Sequence, residues 1–250
     1  MIDFRKPPPI SRSAQGGLLL AFIALFTAIS GGLGSRWDWW SFGIGFTVLK
    51  WGVFIAIAAL LLSLWGIVAT RRGGYRGRLS ALLGLIISLP IILTPIMWIN
   101  KARAAPPIHD ISTDTLDPPQ FQAILPLRKD APNSAQYEGA DVAAQQRKAY
   151  PDIQPVAVKV PPPSAFDAAL YVAHDLGWHI VAQDPAQGRI EATDTTFWFG
   201  FTDDIVIRIK ATDSGSRVDI RSDSRVGRSD VGTNADRIRK FTRAFLRRVS

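Results

Sequence analysis

DIVIRIKATDSGSRVDIRSDS, residues Asp204–Ser224, carries the pattern of a β-hairpin in its order of side chains. Successive side chains of a strand point to opposite faces. Ile205, Ile207 and Ile209 therefore share one face, and Val206, Arg208 and Lys210 the other. Asp213-Ser214-Gly215 supplies turn chemistry, and Arg217–Ser224 returns with Val218 and Ile220 inward. Just upstream, Trp178–Gln183 and Arg189–Asp194 read as two more strands around the turn Asp184–Gly188. In the second of these Ile190 and Ala192 face inward, Glu191 and Thr193 outward. Pro155–Val160 alternates enough for one further strand.

Two helices flank these strands. Ser164 is placed to cap a helix reaching about Leu176, with Phe166, Ala169, Leu170 and Ala173 on one face and Gly177 as its stop. Thr233 or Asn234 is placed to cap a second, running to the C-terminus. Its Ile238, Phe241, Phe245, Leu246 and Val249 recur at helical spacing and form the stripe that packs on a sheet. The order β-α-β-β-β-α predicts an α+β two-layer sandwich, an antiparallel sheet with helices on one face. Residues 156–250 are its core. Residues 106–155 read as extended linker and start of the soluble domain: Pro106-Pro107 and Pro118-Pro119 stiffen the chain, and Gly139–Ala149 suits a short helix.

Residues 1–105 are of another kind. Three apolar runs, about 16–33, 42–69 and 79–99, reach the roughly 20 residues that a bilayer crossing needs, which predicts a three-helix transmembrane bundle. Pro90 and Pro95 fall inside the third, where a membrane helix tolerates them. Ala24, Ala28 and Gly32, and Ser80, Gly84 and Ser88, recur every four residues. Such stripes let helices approach closely, either within one bundle or between copies. Lys50 is the only charge within the runs and sits near an end, which argues against a transport pathway.

The net charge of +8 is concentrated in this first part, while residues 106–250 are close to neutral. It is a topology signal and excludes a nucleic-acid footprint. Arg5, Lys6 and Arg12 precede the first run, and Arg71, Arg72, Arg76 and Arg78 separate the second from the third. The positive-inside rule puts both groups in the cytoplasm and residues 106–250 on the periplasmic side of a bacterial plasma membrane, in the cell envelope. Trp37, Trp39, Trp40 and Trp98 then fall at the outer interface. The first run also fits a cleaved signal peptide ending at Ala28 and Ser30; the remaining two crossings keep the same orientation.

The chain has no Cys, which excludes disulfides, thiolate catalysis and Cys-based metal sites. His109, His174 and His179 match no metal spacing, and His109-Asp110 reads as solvated linker. No metal, cofactor or catalytic signature is expected.

Four stretches carry a resemblance: Asp117-Pro118-Pro119-Gln120-Phe121; Tyr150-Pro151-Asp152-Ile153; Ile190-Glu191-Ala192-Thr193; and Phe201–Arg208. A longer run, Asp219–Asp230 with Gly232, Asn234 and Arg237-Ile238, is more specific. From about Ile108 the chain resembles the family known as domain of unknown function 1499, and the anchor ahead of it resembles one branch of that family. The resemblance implies a fold and a motif, with no activity attached.

The candidate site is the exit of the last strand: Arg221, Ser222, Ser224, Arg225, Gly227, Arg228, Ser229, Asp230 and Asn234, ahead of a helix N-terminus. Backbone N–H groups and guanidinium forks suit an anion such as phosphate or carboxylate. The alternative is structural: Arg225 and Arg228 pair with Asp203, Asp204 or Asp230, and Asn234 caps. Gly227 and Gly232 have the spacing of a P-loop without its Gly-Lys-Ser/Thr. The last helix carries Arg237, Arg239, Lys240, Arg243, Arg247 and Arg248, a basic face suited to anionic lipid headgroups. The leading expectation is a membrane-anchored, non-enzymatic domain that binds an anionic ligand, lipid headgroup or protein partner. The alternatives are a hydrolase of envelope material using Asp203, Asp204 or Asp230, and a structural subunit of a homo-oligomer or membrane complex.

Overall fold

The structure, a computed structural model, describes residues 8–71 and 74–250. The chain divides into two compact units, Met1–Asn100 with Phe197–Gly200, and Lys101–Thr196 with Phe201–Ser250. The first contains three helices: α1 (Arg12–Arg36), α2 (Phe42–Arg71) and α3 (Arg78–Ala104). All three are long and apolar enough to cross a membrane, and the chain is a membrane-anchored protein. The Ser11 hydroxyl caps α1 by accepting from the Ala14 N–H at 3.3 Å.

Small residues make the helix contacts. A Cβ on Gly17 would lie 2.8 Å from the Ser63 nitrogen, and one on Gly84 only 3.1 Å from the Gly17 carbonyl carbon. The three helices therefore touch at Gly17, Ser63 and Gly84. Ala24, Ala28, Ala56 and Ile91 continue the core. Ala24, Ala28 and Gly84 of the four-residue stripes thus pack inside the bundle. Ser11 N–H donates to the Arg76 carbonyl and Arg76 N–H to that of Pro9, both at 2.9 Å, so Arg12 and Arg76 lie at one end of the bundle. Arg5, Lys6 and Arg72, also used in the orientation argument, lie outside the described residues.

The second unit is built from β1 (Asp110–Ser112), α4 (Ala140–Ala149), β2 (Val156–Val158), α5 (Pro162–Asp175), β3 (His179–Asp184), β4 (Arg189–Thr195), β5 (Thr202–Thr212), β6 (Gly215–Ser224) and α6 (Thr233–Val249). The sheet is antiparallel in the order β1-β6-β5-β4-β3, and β2 pairs with β6 beyond the end of β1. α5 and α6 cover one face, as the periodicity predicts. Ile190, Ile205, Ile207, Val218 and Ile220 meet Phe166, Ala169, Ile238, Phe241 and Phe245 there. Fully burying each large side chain contributes about 1.5–3 kcal/mol.

Three local features differ from what the residue pattern predicts. α5 begins at Pro162 behind Pro161, so Ser164 lies inside the first turn and caps nothing. α6 is led by Gly232 in the left-handed region at φ +79°, and neither Thr233 nor Asn234 caps it. The stretch His109-Asp110, read as solvated linker, is buried, because β1 adds a strand to β6.

The start of the soluble domain also reaches further back than periodicity shows. Residues 113–138 lie over the second face of the sheet, where Phe121 and Ile124 pack on Val206. Glu191 faces away from the helices, as alternation predicts, yet it is fully buried. Its carboxylate accepts the N–H groups of Gln122 and Ile124, each at 2.9 Å.

Candidate functional site

Under this covering segment, strand register places like charges side by side. Asp110 on β1 is directly opposite Asp223 on β6, and Asp223 directly opposite Asp204 on β5. All three are buried. Like charges in this arrangement repel, so the row needs counter-charge. Three arginines supply it. Arg221 donates from Nε to Asp110 Oδ1 at 2.9 Å and from Nη2 to Oδ2 at 2.7 Å. Arg128, from the 3-10 turn Leu125–Arg128, lies 2.9 Å from Asp204 and 2.7 Å from Asp223. Arg225 forks onto Asp204 from Nε and Nη2 at 2.9 and 2.8 Å.

The Arg221 guanidinium is 0% exposed. It lies 4.7 Å from the Phe121 ring centre and 5.5 Å from that of Tyr137, and donates to the carbonyls of Pro119 and Ala135. Burial and the neighbouring charge of Asp223 push the Asp110 carboxyl up, to about 7, against the opposing pull of Arg221. Burial likewise raises Asp223.

The motif after β6 is equally engaged. Ser222 Oγ donates to Asn234 Oδ1 at 2.6 Å, and Asn234 Nδ2 donates to the His109 carbonyl at 2.7 Å and to Ser224 Oγ at 2.9 Å. Ser229 Oγ donates to the Pro106 carbonyl at 3.0 Å, and the Asp230 N–H to that of Ile108 at 3.3 Å. Asn133 Nδ2 reaches the carbonyls of Ser224 and Gly227, both at 2.9 Å. The motif thus grips two segments of its own chain, Pro106–His109 and the covering segment.

An anion does sit at the start of α6, and it is internal. The Asp230 carboxylate accepts the N–H groups of Gly232 at 2.9 Å and Asn234 at 2.5 Å. Burial pushes its carboxyl up despite these bonds. Val231, next to it, has a positive φ of 54°, unusual for a β-branched residue.

The match to a family model covers residues 110–245, from β1 to the last turns of α6, and the family is described as a protein of unknown function (DUF1499). The chain belongs to this family. No curated protein matches it. The matched residues of the DUF1499 domain include the aspartate row, its arginines and the whole motif.

Of the candidate residues, Ser222, Ser224, Asp230 and Asn234 come together around Pro106–His109, whereas Arg221 and Arg225 face the aspartate row. Arg228 is exposed and has no ion pair among the described residues. Asp203 and Asp204 take opposite faces of β5, as strand alternation requires. Asp203 meets Arg237 at 2.7 Å and Asp204 meets Arg128 and Arg225. Among the described residues no His, Asp or Glu group is arranged to hold a metal ion. Arg128, and Glu138 whose carboxylate lies 3.5 Å from His109 Nε2, were not legible as part of this network. Both lie in sequence without strand or helix periodicity, and only the folding of residues 113–138 over the sheet brings them in.

Cations that face solvent lie elsewhere. Arg128, Arg189, Arg208, Arg217, Arg221, Arg225, Arg237 and Arg239 all form ion pairs. Lys240, Arg243 and Arg247, at helical spacing on the outer side of α6, are exposed and have none among the described residues. Arg248 lies 3.9 Å over the Tyr171 ring.

Proposed function

We propose that this is a multi-pass protein of the bacterial plasma membrane whose C-terminal domain, on the extracytoplasmic side, binds anionic lipid headgroups through α6. The observation that carries the reading is the stripe Lys240, Arg243 and Arg247. Eight arginines of this unit form ion pairs, and Lys129, Arg147, Lys148 and Lys159 are exposed without one among the described residues; Lys240, Arg243 and Arg247 are exposed, unpaired among the described residues and aligned at helical spacing on one helix. Near an anionic surface each contributes on the order of 1 kcal/mol, and the anchor keeps the domain within reach of a bilayer. Arg228 is the group of the β6–α6 loop that remains exposed for such a contact. The orientation is supported by the basic residues around α1 and between α2 and α3. The hydrolase alternative is less well supported: Asp203, Asp204 and Asp230 are all buried in ion pairs or backbone hydrogen bonds.

The test uses the full chain in lipid nanodiscs. A single cysteine replacing Ser250 carries a dye in a protein without other cysteines, and the discs carry a headgroup quencher. Quenching should be stronger in phosphatidylglycerol than in phosphatidylcholine discs, fall with salt, and vanish in the double variant R243E/R247E. Equal quenching in both lipids refutes lipid binding. Abolition by millimolar inorganic phosphate at constant ionic strength indicates a soluble phosphate ligand instead.

A further inference from the structure

His109 is a buried titratable group that the basic stripe does not use. Its Nδ1 lies 2.9 Å from Asp223 Oδ1, and its Nε2 lies 3.5 Å from Glu138 Oε1. Both ring nitrogens therefore face carboxylates. Ionised carboxylates only accept hydrogen bonds, and a neutral imidazole has a single N–H to give. An imidazolium donates to Asp223 from Nδ1 and carries the positive charge that attracts Glu138, whose contact at 3.5 Å is an ion pair and not a hydrogen bond.

We infer that His109, buried between Asp223 and the half-exposed Glu138, forms a proton-binding site whose proton clamps the segment following α3 to β6 and to the covering segment. The clamp joins three pieces of chain. His109 belongs to Pro106–Ser112, Asp223 to the end of β6, and Glu138 to residues 113–138. The His109 carbonyl is already held by the Ser224 N–H at 3.1 Å and by Asn234 Nδ2, so the ring and the backbone of one residue lock the same junction. The other charged and titratable groups around it are Asp110 on its own strand, Tyr137 and Arg128 on the covering segment, Arg221 on β6, Asp204 on β5 and Arg225 just after β6.

Burial by itself would lower the His109 value. The hydrogen bond and charge of Asp223, with Glu138 and Asp110 behind it, outweigh that and raise it. A group raised on folding stabilises fully below its unfolded value, about 6.5 for His, and loses its contribution as pH rises through the folded value. The clamp is therefore closed in mild acid and loosens toward alkaline pH.

The full chain in detergent, labelled with 15N-histidine, tests this by imidazole NMR between pH 5 and 9. The His109 signals are identified by their loss in His109→Gln. The expected midpoint lies above about 6.5 with both nitrogens protonated below it, and Glu138→Gln lowers it. Amide exchange at Ser224 and Asp230, which donate to the clamped segment, should rise beyond its intrinsic pH dependence on passing the midpoint, and that extra rise should be absent in His109→Gln. A neutral His109 at pH 6, or a midpoint unmoved in Glu138→Gln, overturns the inference. Glu138 is 47% exposed at its side chain, so that variant folds even if His109→Gln does not.

Discussion

Replacing Arg221 by Met removes the most deeply buried positive charge of the soluble unit and leaves a side chain that still fills the space beside Phe121. What is lost is the two-point bond to Asp110, at 2.9 and 2.7 Å, and the donors to the Pro119 and Ala135 carbonyls. Breaking a buried pair from one side costs roughly 3–5 kcal/mol, because the remaining charge is stranded. For a unit of this size each kcal/mol lowers Tm by roughly 2–4 °C, so the loss is roughly 6–20 °C.

The cost also depends on pH in a defined direction. Asp110 is raised to about 7, so the folded state holds a proton there that the unfolded state, titrating near 3.8, gives up. That group therefore contributes stability in mild acid that is lost as pH rises through about 7. Without Arg221 the carboxyl moves higher still. At pH 5.5 the stranded Asp110 takes up a proton and much of the penalty disappears; at pH 8.5 the penalty is full. Thermal unfolding of the full chain in detergent at both pH values measures the difference. A loss below about 1 kcal/mol at pH 8.5, or a loss independent of pH, refutes the reasoning that Arg221 compensates a crowded row of buried carboxylates.

Three further outcomes follow from the same structure. Asn234→Ala deletes the shared partner of Ser222, Ser224, Arg237 and the His109 carbonyl, and should cost about 3 kcal/mol in chemical denaturation, since buried groups left unpaired cost about 1–3 kcal/mol each. Val231→Asn should leave the fold intact and raise Tm by a few degrees, because Asn tolerates the left-handed backbone that costs Val about 1–2 kcal/mol; a lower Tm would mean that the Val231 side chain contributes more than its strain removes. Gly84→Leu places a side chain where Gly17 and Ser63 already touch, and should destabilise the helical unit by about 1–3 kcal/mol or more without altering the pH response of the soluble unit, as read by detergent-induced unfolding.

Much of the architecture was legible because it is periodic. The hairpin Asp204–Ser224, the apolar stripe of α6 and the three apolar runs each repeat a pattern over ten or more residues, and local geometry then decides which face is buried. β1 was not legible: three residues, Asp110–Ser112, are too short to show alternation, and two of them are polar. The motif after β6 was legible as a cluster but not in its use. Its serines and asparagine are hydrogen-bonding types wherever they stand, and only the arrival of Pro106–His109 makes that segment their partner.

The sequence by itself determined the membrane anchor, the antiparallel α+β class and the positions of the charges, because hydropathy and side-chain alternation are local properties. Tertiary structure alone decided which charges neutralise one another. Asp110, Asp223 and Asp204 become neighbours through strand register, and Arg128, nearly a hundred residues from Asp223, reaches them only when residues 113–138 fold over the sheet. Coulomb interactions depend on distance and on exclusion of water, and neither is set until the chain has closed on itself.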